Sequence, residues 1–208
     1  MKSNQETTGL YNSPVSFWHN FPDIGIKKWI IVSSALFFTG IVIGLVNPST
    51  EALESLESLL DIADTTVPFS SLGFFILYLI NNVFKMVLSF VFSPILCILP
   101  VLSLVANGWV ISSVGYFIVD VQQYSIGYFL MGILPHGIFE IPALIIGQAA
   151  ALSLGTMTIA AIFSEGKRRV LFNNLKENLK YLGIVVLLLV IAAAIEAFIT
   201  PLILGLLE

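Results

Sequence analysis

The sequence predicts an all-α polytopic integral membrane protein, a helical bundle of about five crossings with one broken or re-entrant segment around Pro135. Three observations predict it. Of 208 residues, 57% are hydrophobic and only 11% charged, whereas an average soluble domain carries roughly a quarter charged residues. The mean hydropathy is +0.97. The apolar residues fall in long runs, and about 20 helical residues suffice to cross about 30 Å of hydrocarbon. The same arithmetic excludes a soluble enzyme and a disordered chain. Nine basic against thirteen acidic residues leave no cationic footprint for nucleic acid.

Residues 1–28 are polar and aromatic and form the expected cytoplasmic N-terminal segment. The first span, residues 29–46, holds no charge and carries Gly40 and Gly44 at a G-x-x-x-G spacing that favours close helix packing. No small-residue cleavage site follows it, so it is expected to stay as a signal-anchor-like helix. Asn47-Pro48-Ser49-Thr50 ends this helix and starts another, capped by Ser49 or Thr50. Over residues 48–66, Glu51, Glu54, Glu57, Asp61 and Asp64 recur every three or four positions between leucines, which predicts an extracytoplasmic acidic amphipathic helix.

The remaining membrane core is expected over residues 72–206. Its second span, 72–92, includes Asn81, Asn82 and Lys85, and Ser93-Pro94 turns the chain into a third span, 95–119, with Asn107-Gly108 inside it. Residues 126–163 then stay apolar, a run of about 57 Å if helical throughout, too long for one crossing. Pro135, Gly137 and Pro142 predict a short entering segment, a break at Pro135, and a full helix from about residue 138. A basic linker, 164–180, and a final span, 181–206, complete the chain. Cys97 is the lone cysteine, which excludes an intramolecular disulfide and reads as a buried structural thiol.

Orientation follows from charge. Lys27 and Lys28 and the linker cations Lys167, Arg168, Arg169, Lys176 and Lys180 share one side after five crossings, and the acidic stretch and Asp120 share the other. The positive-inside rule then puts the N-terminus in the cytoplasm and the C-terminus outside, in the cell membrane. The amphipathic stretch within the linker, 170–181, is expected to contact membrane lipids through anionic headgroups.

A charge within a span costs at least ~2.5–3.5 kcal/mol on insertion scales, so each one needs a reason. Four ionisable residues raise the question: Lys85, His136, Glu140 and Glu196. His136 and Glu140 are four apart and share a helical face, and Glu196 can reach the same depth from the neighbouring helix. Three chemistries compete. A structural cluster would hydrogen-bond these groups to Asn81, Asn82 and Asn107, with Lys85 paired to a glutamate or snorkelling out. A small-solute, ion or proton path would use them as a mid-membrane site. A divalent transition metal held by His136, Glu140 and Glu196 would allow intramembrane hydrolysis. Separately, Ala143, Gly147, Ala151 and Gly155 form a small-residue stripe that serves either packing within the chain or a homodimer seam, and Gly40 and Gly44 invite the same alternatives.

The run Leu134-Pro135-His136-Gly137-Ile138-Phe139-Glu140-Ile141-Pro142-Ala143 resembles the P-H-G-x-x-E-x-P-A signature of the stage II sporulation protein M family. Asn107-Gly108 resembles the family's upstream N-G. Ala193-Ala194-Ile195-Glu196-Ala197-Phe198-Ile199-Thr200-Pro201 resembles its C-terminal A-x-x-E-x-F-x-T-P segment. The resemblance implies a non-enzymatic membrane scaffold that recruits a membrane or extracytoplasmic protein partner, and it groups His136, Glu140, Glu196 and Asn107 in one polar cluster. Transport is the alternative function, and metal-dependent hydrolysis the third.

Overall fold

A computed structural model of the chain describes residues 25–49 and 70–206. The expected acidic helix and most of the N-terminal segment lie outside the described residues. Within them the elements are α1 (Ile26–Val46), α2 (Ser71–Phe92), α3 (Ile98–Tyr116) continued by one π-helical turn (Phe117–Val121), α4 (Ile126–Phe163), α5 (Glu165–Phe198) and the short α6 (Thr200–Leu204). Five helical stretches are long and apolar enough to cross a membrane, and the chain is a membrane-spanning helical bundle. Its outward faces are covered with exposed large apolar side chains such as Ile80, Phe84, Leu187 and Leu202, as a lipid solvent requires.

α4 is the central helix, and its middle is lined with small side chains that let its neighbours approach closely. It contributes Leu152 to a core with Phe37, Cys97 and Leu104, and Ala143 to a second core with Met86, Val185 and Leu189. Ala150, Ala151 and Leu154 form a third core with Phe90. A Cβ on Gly147 would collide with the Met86 sulfur, and one on Gly155 would collide with the Ser93 carbonyl oxygen. A Cβ on Gly40 would meet the Val105 backbone, and one on Gly44 would meet Ser112 and Trp109. Both small-residue stripes are therefore occupied by packing within the chain.

Directions alternate as successive crossings demand. Gly40 meets Val105 and Gly44 meets Trp109, so α1 and α3 run parallel, and Trp109 Nε1, within α3, donates to the Asn47 carbonyl at the end of α1 (3.2 Å). α2 is capped by the Ser70 hydroxyl, which accepts from Gly73 N–H at 3.2 Å. The turn from α2 to α3 places Leu96 and Cys97 at φ 53° and 56°, a left-handed pair that costs non-glycine residues of order 1–3 kcal/mol each. Cys97 is buried there, as expected of a structural thiol.

Two expectations are corrected. α4 is a single 38-residue helix that includes both Pro135 and Pro142, with no break or re-entrant segment. Each proline removes one backbone bond, to the carbonyls of Met131 and Ile138. Ending the helix inside hydrocarbon would instead strip several N–H and C=O groups at once, so continuity is the lesser loss. The basic stretch is likewise no loop: Ser164 alone separates α4 from α5, and residues 165–180 form the first turns of α5. This segment is held to α4 by Asn174 and Asn178, which donate to Ser153 Oγ at 3.3 and 3.4 Å. α5 stops at Phe198 because Pro201 has no N–H to offer Ala197.

Candidate intramembrane polar site

The antiparallel α4–α5 hairpin sets residue depth by simple pairing about Ser164. Gly147 lies beside Val185, and eleven residues towards the hairpin's open end on each helix, His136 and Glu196 meet. Together with Glu140, one turn along α4, they present a ring nitrogen and two carboxylate oxygens that all lie within 4.8 Å of one another. The sequence-predicted trio is brought together. His136 Nε2 stands 3.9 Å from Glu140 Oε2, with the side chains 14% and 30% exposed. That distance is too long for a hydrogen bond. His136 Nδ1 is buried and has no partner either.

The second oxygen of Glu140 is engaged. Asn82 Nδ2, on α2, donates to Glu140 Oε1 at 3.1 Å. This bond leaves Oε2 facing the imidazole. Tyr78, one turn before Asn82, lies within electrostatic reach of Glu196. Glu140 and Glu196 are likewise within reach of each other. Two carboxylates this close in a low-dielectric medium need a proton or a cation between them for charge balance.

Below the trio, a small cavity is lined by Asn82, Lys85, Ser103, Asn107, Glu140 and Gln148, with apolar walls from Met86, Leu144 and Leu189. It offers about 20 Å³ to the centre of a water molecule, room for roughly one water. Lys85 lines this space with Glu140 without an ion pair between them. Asn107 spends its amide on its own helix, donating to the Ser103 carbonyl at 2.7 Å. Asn81 does not join: it is exposed and is not among the residues that line the cavity, although Lys85, one turn on, is.

Three polar residues that the sequence reading passed over extend the site. Gln148 sits two turns beyond Glu140 on the same face of α4. Its Oε1 accepts from Ser89 Oγ at 2.6 Å, and its Nε2 donates to Ser103 Oγ at 3.0 Å. The signal was available in the i, i+4, i+8, i+12 steps from His136 through Glu140 and Leu144 to Gln148. Polar groups thus follow one another along α4 from Glu196 and His136, past Glu140 and Asn82, to Gln148 and Ser89.

Comparison with known proteins agrees with the motif resemblance. The sequence matches the family described as stage II sporulation protein M over residues 33–201. It is similar to two uncharacterized proteins of Methanocaldococcus jannaschii. MJ0706 is 30% identical over 95 residues, covering 40% of this chain and 44% of the relative. MJ0793 is 38% identical over 69 residues, covering 33% and 39%. The chain thus spans less than half the length of the curated relatives it matches. No solved structure matches it.

Proposed function

The chain belongs to the stage II sporulation protein M family, and on that premise we propose that it is a membrane-embedded carrier for a small cation or proton. The observation that supports this reading is the convergence of His136, Glu140 and Glu196 within 4.8 Å with no hydrogen bond among them. A purely structural cluster should satisfy its own polar groups, because an unpaired one in hydrocarbon is costly. Here the imidazole Nδ1 has no partner and two carboxylates face each other, an arrangement that a mobile positive charge would complete. Polar side chains continuing through Asn82, Gln148 and Ser89 would give that charge somewhere to go.

The basic end of the bundle, with Lys27, Lys28 and the start of α5, faces the cytoplasm in this reading. The scaffold role implied by the family resemblance is the second reading, and its support is membership alone; the acidic surface it would use for recruitment lies outside the described residues. The test is flux. The purified chain in liposomes, under an imposed pH gradient or membrane potential, should pass protons or a cation faster than protein-free vesicles. Glu140→Gln and Glu196→Gln should each remove at least about nine-tenths of that flux. Wild-type vesicles as tight as empty ones to protons, sodium, potassium and manganese would overturn the carrier reading and leave the scaffold.

A further inference from the structure

We propose that the ion held by His136, Glu140 and Glu196 is a divalent first-row transition metal. This inference rests on the cation reading above and narrows it.

Donor chemistry is the first argument. An imidazole nitrogen is a poor ligand for sodium, potassium, magnesium or calcium, which take oxygen, and a good one for iron, cobalt, nickel or zinc, while the two carboxylates also suit manganese. A site built for alkali ions would present carbonyls, hydroxyls and carboxylates without the ring. The two carboxylates supply the charge that balances a divalent ion, and Lys85, within electrostatic reach of Glu140, adds a positive charge on the cavity side rather than in the trio.

Geometry is the second argument. The 3.9 Å gap from His136 Nε2 to Glu140 Oε2 exceeds a hydrogen bond. It lies within the span of two metal–ligand bonds of about 2.0–2.2 Å each meeting at an open angle. The third donor, from Glu196, lies within 4.8 Å of the other two, and a shift of about 1 Å closes the set. His136 Nδ1 has no hydrogen-bond partner and Nε2 stands 3.9 Å from Glu140, beyond hydrogen-bond length, so either is free to coordinate.

Support for the ligands is the third. Asn82 holds Glu140 by Oε1 at 3.1 Å, which orients Oε2 towards the imidazole. Metal sites use such outer partners to fix their ligands. Three protein ligands leave coordination positions open for water or for release. A closed structural site would use four.

The experiment uses the full chain in lipid nanodiscs, titrated with Co²⁺ and Mn²⁺, with elemental analysis after desalting. One equivalent of metal is expected, with a Co²⁺ visible absorption band characteristic of nitrogen and oxygen ligands. His136→Gln and Glu196→Gln should weaken binding at least tenfold, and Asn81→Leu, at an exposed position, should leave it unchanged. The wild-type titration stands without any variant: no saturable Co²⁺ or Mn²⁺ binding overturns the proposal. Equal binding by wild type and His136→Gln also overturns it, as adventitious metal. Proton flux without metal binding would sink this inference and keep the carrier reading. Metal binding without flux would do the reverse.

Discussion

Ser89 donates a 2.6 Å hydrogen bond to the Gln148 carboxamide with both residues buried, tying α2 to the centre of α4. The other end of the same carboxamide reaches Ser103 on α3 at 3.0 Å. One neutral side chain therefore joins three helices at the lower end of the polar site. Gln148→Leu removes both bonds and leaves two hydroxyls behind. Interhelical bonds in bilayers contribute about 0.6 kcal/mol each, at most about 1.7, so the loss should be about 1–3 kcal/mol. Unfolding of the variant in mixed micelles measures it, and an unchanged midpoint would show that the bonds add nothing.

Asn81 and Asn82 are adjacent in sequence and should behave as opposites. Asn82→Leu deletes the donor that holds Glu140, so Co²⁺ affinity should fall about 10–100-fold, the usual effect of losing an outer-shell partner. Asn81→Leu exchanges an exposed amide for an apolar side chain and should leave affinity and stability near wild type. Titration of both variants side by side decides the matter. Similar losses in the two would show that α2 is turned differently from the arrangement described.

The small-residue stripe of α4 gives a graded pair of substitutions. In Gly147→Ala the new methyl meets the end of the Met86 side chain, which can swing aside, and the cost should be about 1 kcal/mol. In Gly155→Ala it meets the Ser93 backbone carbonyl, which cannot, and the cost should approach about 3 kcal/mol. Thermal unfolding should rank Gly155→Ala clearly below Gly147→Ala. Cross-linking of single-cysteine variants along this stripe should give no dimer, because the surface is already covered within the chain. A dimer formed through it would contradict the packing.

Topology can be checked with membrane-impermeant thiol reagents on a Cys97→Ser background. Cysteines at Gln123, before α4, and at Lys167, just after it, should label from opposite sides of the membrane, with Lys167→Cys reacting only from the cytoplasmic side. Labelling of both positions from one side would reduce α4 to a helix that does not cross.

Continuity of α4 predicts the behaviour of its prolines. Pro135→Ala restores the N–H that the Met131 carbonyl lacks and should change stability by no more than about 1 kcal/mol. A large destabilisation would mean that the chain needs a break there.

Much of the site was legible because intramembrane charge is expensive and therefore sparse. His136 and Glu140 share a face by their spacing, and Glu196 faces them once the turn between the last two long helices is known. The length of the final helix was less legible. Lys167, Arg168 and Arg169 look like a loop beside an apolar span, yet Asn174 and Asn178 dock on Ser153 and carry the helix through the charged stretch. Pro135 misled for a related reason. In water a proline near a glycine usually ends a helix, whereas hydrocarbon penalises the exposed backbone that an end creates. Gln148 was overlooked because a neutral amide attracts less notice than a charge, and its worth depends on Ser89 and Ser103, which only the packing brings near. Asn81 and Asn82 were indistinguishable without the rotation of α2 about its axis.

The single-residue connection at Ser164 bears on how the protein is made. A connection of one residue would let the two helices enter the bilayer as a hairpin. His136 and Glu140 need not enter lipid alone and wait for Glu196 to be synthesised. The donors of the trio are delivered facing one another, and membrane entry of α4 becomes a matter of timing as much as of hydropathy. Lengthening the turn with a flexible insert would separate the two arrivals, and slow or failed integration of α4 during synthesis would be the sign of it.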